Sequence, residues 1–120
     1  MDPVTGISLG RIVIGICAFV APELTARVFG LAPAGNPHLP YMTRMFGARE
    51  IAVGGVTLVS SGTTRRNLAL VGVAIDASDA ATGALELQAN RIPKSAGILL
   101  IGAASGAVLA GVLGVLRGRG

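Results

Sequence analysis

Seven charged residues interrupt stretches that are otherwise apolar: Arg11, Arg44, Arg49, Glu50, Asp76, Asp79 and Glu86. Three of the chain's six acidic residues fall in one run, NLALVGVAIDASDAATGALELQAN, from Asn67 to Asn90. Asp76, Asp79 and Glu86 there stand at i, i+3 and i+10, with Gly83 at i+7 and Asn90 at i+14. Those offsets share one face of a 3.6-residue helix. The opposite face (Leu70, Val71, Val73, Ala74, Ala77, Ala81) is apolar. Acids in such a setting can fasten helices by pairing with arginines. They can also line a path for protons or a small solute, or a pocket for a lipid-like ligand. Two carboxylates one turn apart, such as Asp76 and Asp79, can share a proton as a general acid/base pair. No nucleophile–base set accompanies them, and no metal-ligand spacing surrounds Cys17 or His38. Catalysis is therefore not the leading expectation, and neither a metal nor a cofactor is expected.

These residues must be positioned by helices that suit lipid. In 120 residues, 52% are hydrophobic and only 13% charged, about half the usual soluble share. The 18 glycines lie largely within apolar runs, where small residues let helices approach. The net charge of +4 is spread over the ends of those runs, at Arg65-Arg66, Arg91/Lys94 and Arg117/Arg119. That is the pattern of interfacial anchors. No concentrated basic face points to nucleic acid. The first ten residues hold Asp2 and no basic residue, which argues against a cleaved leader and for retention of the first helix.

The expected architecture is an all-α integral membrane four-helix bundle, one domain over 1–120. Its spans are about 4–20, 41–61, 66–89 and 95–116, with a short interfacial helix between the first two. In the first span Ser8, Arg11, Gly15 and Ala18 share a small, polar face. Between Pro22 and Gly30, ELTARVF separates Leu24 and Val28 from Glu23 and Arg27, as a helix lying on a membrane does. APAGNPHLP then reads as loop. The second span lines up Thr43, Gly47, Glu50, Gly54, Thr57 and Ser61, with Gly62 as its stop. Thr63-Thr64-Arg65-Arg66 reads as the turn and cap before the third span. The fourth span has no charge before Arg117 and carries a GxxxG pair, Gly102 and Gly106, with Ala103, Ala107 and Gly111 continuing a small-residue face. That stripe signals helix contact, within the molecule or between copies.

At about 1.5 Å per residue, charges fall at matching depths. Arg11 and Asp76 lie about 10 and 15 Å from the N-terminal side, and Arg49 and Asp79 about 10–13 Å from the other. Arg44 and Glu86 both come near that other side. The expected pairs are Arg11–Asp76, Arg49–Asp79 and Arg44–Glu86. Glu50 is left over. It bridges to Arg11 or Arg49, or else must hold a proton, because a desolvated carboxylate is costly.

The APELTARVFG segment, the RMFGAREIAVGG string from Arg44 to Gly55 and Asp76 together resemble the small bacterial four-helix membrane proteins of the DoxX-like type and related families of unknown function. The resemblance implies a four-span bundle with both ends on one side and no established activity. The expected place is the inner membrane, with termini cytoplasmic. Partners are the lipid bilayer and a membrane protein or second copy docked through the last span. The expected role is an accessory or structural component of a membrane complex. The alternative is a proton-coupled small-solute carrier or lipid-like ligand binder using Glu50 and Asp76.

Overall fold

The computed structural model describes residues 2–117, which form five helices: α1 (Pro3–Val20), α2 (Pro22–Val28), α3 (Leu39–Val59), α4 (Gly62–Gln88) and α5 (Lys94–Arg117). Each boundary has a local cause. Asp2 caps α1, its carboxylate accepting from the Thr5 backbone N–H (3.0 Å) and hydroxyl (2.9 Å). Pro3 then occupies the first turn, where no amide partner is lost. Pro22 opens α2 after the bend at Ala21. α4 stops where Asn90 turns left-handed (φ 57°). The Asn90 N–H reaches the Leu87 carbonyl and the Arg91 N–H the Glu86 carbonyl, satisfying the helix end.

One boundary departs from the sequence expectation. The α3–α4 connection is only Ser60 and Ser61, and Thr63 to Arg66 are already helical. Their place in the first turn of α4 aims Arg65 at the start of α1. Its guanidinium donates to Asp2 Oδ1 (3.1 Å) and to the Thr5 hydroxyl (2.6 Å).

The long helices form two closely packed antiparallel pairs, α1 with α3 and α4 with α5. α1 also touches α5, whereas α3 and α4 meet only sparsely despite their short connection. The α1/α3 pair is set by glycine. A Cβ on Gly47 would lie 2.6 Å from the Gly15 carbonyl oxygen, and one on Gly54 would lie 2.7 Å from that of Ser8. Backbone therefore meets backbone, and no side chain larger than hydrogen fits there. The small residues of α5 divide between two sides. Gly102 and Gly106 face open space, while Gly111 is buried against Val73 with Gly97 and Gly114 on the same inward side.

The distribution of residue types is inverted relative to a water-soluble domain. The buried apolar residues are few and mostly small, with Val4, Ala69 and Val115 forming one cluster. The buried polar ones are Ser8, Arg11, Thr25, Glu50, Thr57 and Asp76. Large apolar side chains such as Ile16, Phe19, Val59 and Leu109 point outward. α1, α4 and α5 are long and apolar enough to cross a membrane. α3 is of similar length but carries Arg44, Arg49 and Glu50.

Gly47→Ala should lower stability in thermal unfolding in detergent by about 1–3 kcal/mol, the usual cost of overpacking. Gly55→Ala, on the same helix with open space around it, should be neutral or slightly stabilising. The α1 cap gives a pH signature. Its hydrogen bonds from the Thr5 backbone and hydroxyl hold the Asp2 carboxyl below its ordinary value of 3.8. The cap therefore contributes fully above that value and fades as pH falls through the lowered one. Asp2→Ala should cost about 1 kcal/mol at neutral pH, and the difference from wild type should shrink in acid.

Candidate functional site

The polar faces of α1, α3 and α4 converge near the midpoint of each helix. Arg11 comes from α1, Arg49 and Glu50 from α3, and Asp76 and Asp79 from consecutive turns of α4. They form one alternating chain of acids and bases. Arg11 Nη1 donates to Asp76 Oδ1 (3.0 Å) and Glu50 Oε2 (2.9 Å), and its Nη2 donates to Asp76 Oδ2. Arg49 Nη2 donates to Glu50 Oε1 (3.1 Å) and Asp79 Oδ2 (2.7 Å), and its Nη1 reaches Asp79 Oδ1 (3.3 Å). Glu50 is thus the central link, held from both sides. Arg11, Glu50 and Asp76 are 8, 4 and 4% exposed. Arg49 and Asp79 are about one-third exposed, and the Arg49 guanidinium lies 5.1 Å from the centre of the Phe46 ring.

Packing makes room for this chain. Gly72 faces the Arg11 guanidinium so closely that a Cβ would come within 2.7 Å of Nη2. Any larger residue there would push the guanidinium off its carboxylates. The Arg49 Nε is buried without a partner, so its planar end is fully committed to Glu50 and Asp79.

Two of the depth-matched pairs, Arg11–Asp76 and Arg49–Asp79, meet in the structure. The third is corrected. Arg44 is exposed and its Nε donates to the Phe19 carbonyl (3.0 Å), while Glu86 pairs with Arg91 across the α4 terminus (2.8 Å). The turn at Asn90 brings Arg91 back over Glu86, and that local pairing wins over a cross-helix one. Glu50, left over from the depth-matched pairs, bridges to both Arg11 and Arg49, which its position had offered as alternatives.

Beside the network, towards the α2 end, α3, α4 and α5 diverge around a cavity of about 450 Å³. Glu50, Asp76 and Asp79 reach its wall, as does Glu86. The remaining lining is largely apolar or small, including Ile14, Phe29, Phe46, Leu100, Ala104 and Ala107. On the opposite, N-terminal side, the space beside Arg11 and Ser8 is only about 10 Å³, roughly one water. The network therefore closes the cavity at its inner end. The cavity's size is within the range of small-molecule sites, roughly 300–1,000 Å³. The signal for it was present in small residues facing one another, Gly83 on α4 and Ala103, Ala104 and Ala107 on α5. Ala103 and Ala107 belong to the small-residue face read on α5, whereas Gly102 and Gly106 do not line the cavity.

One oxygen from each of Glu50, Asp76 and Asp79 lies within 4.8 Å of the others, a spacing that could hold a metal ion. The same carboxylates already accept from two guanidiniums, so a divalent ion there would place excess positive charge in the interior.

The family profile "Domain of unknown function (DUF4267)" matches residues 8–117. The chain belongs to that family. The match runs from the polar face of α1 to the last turn of α5, so every network residue of this DUF4267 domain lies inside it. It does not extend to the DoxX-like group that the short motifs resemble. No curated protein and no solved structure matches the chain.

Asp76→Asn should destabilise the protein by about 3–5 kcal/mol, because it strands part of the Arg11 charge in the interior. Arg44→Gln, at an exposed position outside the network, should change stability by no more than about 0.5 kcal/mol. Thermal or denaturant unfolding in detergent checks both.

Proposed function

We propose that this DUF4267 domain is a multi-pass membrane protein that binds a lipid-like ligand in the cavity beside its buried ion network. The carrying observation is the one-sided cavity itself, apolar along its walls and floored by Glu50, Asp76 and Asp79. Buried charges that served only to fasten helices would be better shielded by close packing, as they are on the Arg11 side. The same asymmetry favours a binder over a carrier, since the N-terminal side offers no continuation of the path.

The membrane setting rests on the outward-facing apolar residues and the inward-facing polar ones. In lipid, α1, α3, α4 and α5 would cross, with α3 hiding its charges against α1 and α4. The amphipathic α2 would lie at the surface with Leu24 and Val28 exposed to lipid. Both ends of the chain then fall on one side. The resemblance to small bacterial membrane proteins favours a bacterial inner membrane. The basic residues select neither orientation. Arg65, Arg66 and Arg117 at one end face Arg27, Arg44, Arg91 and Lys94 at the other, and Arg119 lies outside the described residues. Burial of Arg44 would have favoured cytoplasmic termini, but Arg44 is exposed.

A second reading, an accessory subunit of a membrane complex, is favoured by one feature: Gly102 and Gly106 on the open side of α5. It requires a partner helix on that stripe. Gly106→Leu should then abolish co-purification of a partner while leaving the thermal stability of the isolated protein unchanged.

The ligand-binding proposal is tested by filling the cavity. Mass spectrometry of organic extracts should find a small amphipathic molecule co-purifying with the wild type and depleted from Ala104→Phe at equal fold stability. Identical extracts from the two proteins would contradict the proposal.

A further inference from the structure

The cavity has a definite electrostatic character. Its titratable lining is entirely acidic: Glu50, Asp76, Asp79 and Glu86. The hydroxyls of Thr25, Thr43 and Thr82 also line it, and those of Thr43 and Thr82 have spent their protons on the backbone carbonyls of Leu39 (2.8 Å) and Ser78 (2.8 Å). The carboxylates and these two hydroxyls therefore present acceptors to the cavity. Ionised carboxylates accept only, and a hydroxyl whose proton is engaged retains only its lone pairs. No arginine or lysine lines the space, because Arg11 and Arg49 reach the carboxylates from outside it. A fatty-acid or phosphate head would find like charge and no charged donor.

Charge counting supplies a second, independent constraint. Three carboxylates, Glu50, Asp76 and Asp79, share two guanidiniums, Arg11 and Arg49. One negative charge is in excess. The other charged groups do not cancel it. Glu86 is matched by Arg91, and Arg44 is exposed and engaged by the Phe19 carbonyl. On α2, Glu23 and Arg27 are exposed, as are His38 and Tyr41 at the start of α3. α5 brings only Lys94 and Arg117, both exposed at its ends. An uncompensated charge in the middle of a bilayer costs about 2.5–3.5 kcal/mol on insertion scales. A ligand that brings one positive charge to the cluster removes that cost.

We propose that the ligand of this cavity is a monocationic amphiphile, an alkyl chain ending in a protonated amine. The proposal rests on the ligand-binding reading above. The ammonium supplies three donors to the acceptor-lined inner end, and the chain runs along the apolar wall towards Phe29 and Leu100. Its single positive charge offsets the one excess negative charge of the cluster, and no covalent bond is made or broken.

Dodecylamine, dodecanol and dodecanoate share one chain and differ only in the head. Their binding to the intact protein in nanodiscs is measured by calorimetry, against Ala104→Phe as the partitioning control. The amine should bind saturably, at least about tenfold tighter than the alcohol or the acid. Asp79→Asn, at the most exposed acid of the cluster, removes the excess charge. It should weaken amine binding by about tenfold or more and leave the alcohol unaffected. Equal affinity for amine and alcohol would overturn the cationic assignment while leaving the cavity a ligand site. Saturable binding of none of the three would remove the ligand-binding reading itself.

Discussion

The Asp76–Arg11–Glu50–Arg49–Asp79 chain is the interaction on which the rest of the structure depends. The α1/α3 and α4/α5 pairs are each tightly packed, but α3 and α4 touch only sparsely. Across that gap the network supplies specific, directional contacts, and Arg11 alone joins α1 to both α3 and α4. Apolar packing cannot do the same job in lipid, where hydrocarbon surrounds both states of a leucine. A buried carboxylate has no such indifference. It must find its guanidinium, and that ties the register of α1, α3 and α4 to one another.

That demand explains the small residues around it. Gly15, Gly47 and Gly54 bring α1 and α3 to backbone contact, which sets Arg11 beside Glu50. Gly72 leaves the space that the Arg11 guanidinium occupies. Beyond the network the opposing residues are still small, at Gly83, Ala103, Ala104 and Ala107, but the helices diverge and the space stays open. Tight packing on one side of the charges and a cavity on the other are consequences of one helix arrangement.

Much of this was legible in the sequence, because helical periodicity acts on residue type alone. Ser8, Arg11, Gly15 and Ala18 are buried together on α1, and Gly47, Glu50, Gly54 and Thr57 on α3, as their spacing requires. Gly30 and Asn90 follow α2 and α4 with positive φ, which glycine and asparagine adopt more readily than other residues. What failed depended on distances between elements. Glu86 found Arg91 five residues away rather than Arg44, since a turn can return a side chain to its own helix end. The small residues of α5 did not say which would turn inward: Gly111 packs against Val73, whereas Gly102 and Gly106 face open space. The cavity was legible only as small residues such as Gly83, Ala103 and Ala107. It is bounded by residues of all five helices, and no single helix's periodicity encodes its volume.

The coupling between Arg11 and Asp76 decides whether the network is the tie between the helix pairs. A double-mutant cycle with Arg11→Leu, Asp76→Leu and both together, read by denaturant unfolding in detergent, measures it. Within-network coupling of about 2 kcal/mol or more is expected, with the double variant more stable than Arg11→Leu alone, because Arg11→Leu strands the Asp76 carboxylate, which the second change removes. Additive losses, or an Arg11→Leu protein as stable as wild type, would show that the helices are held by something else.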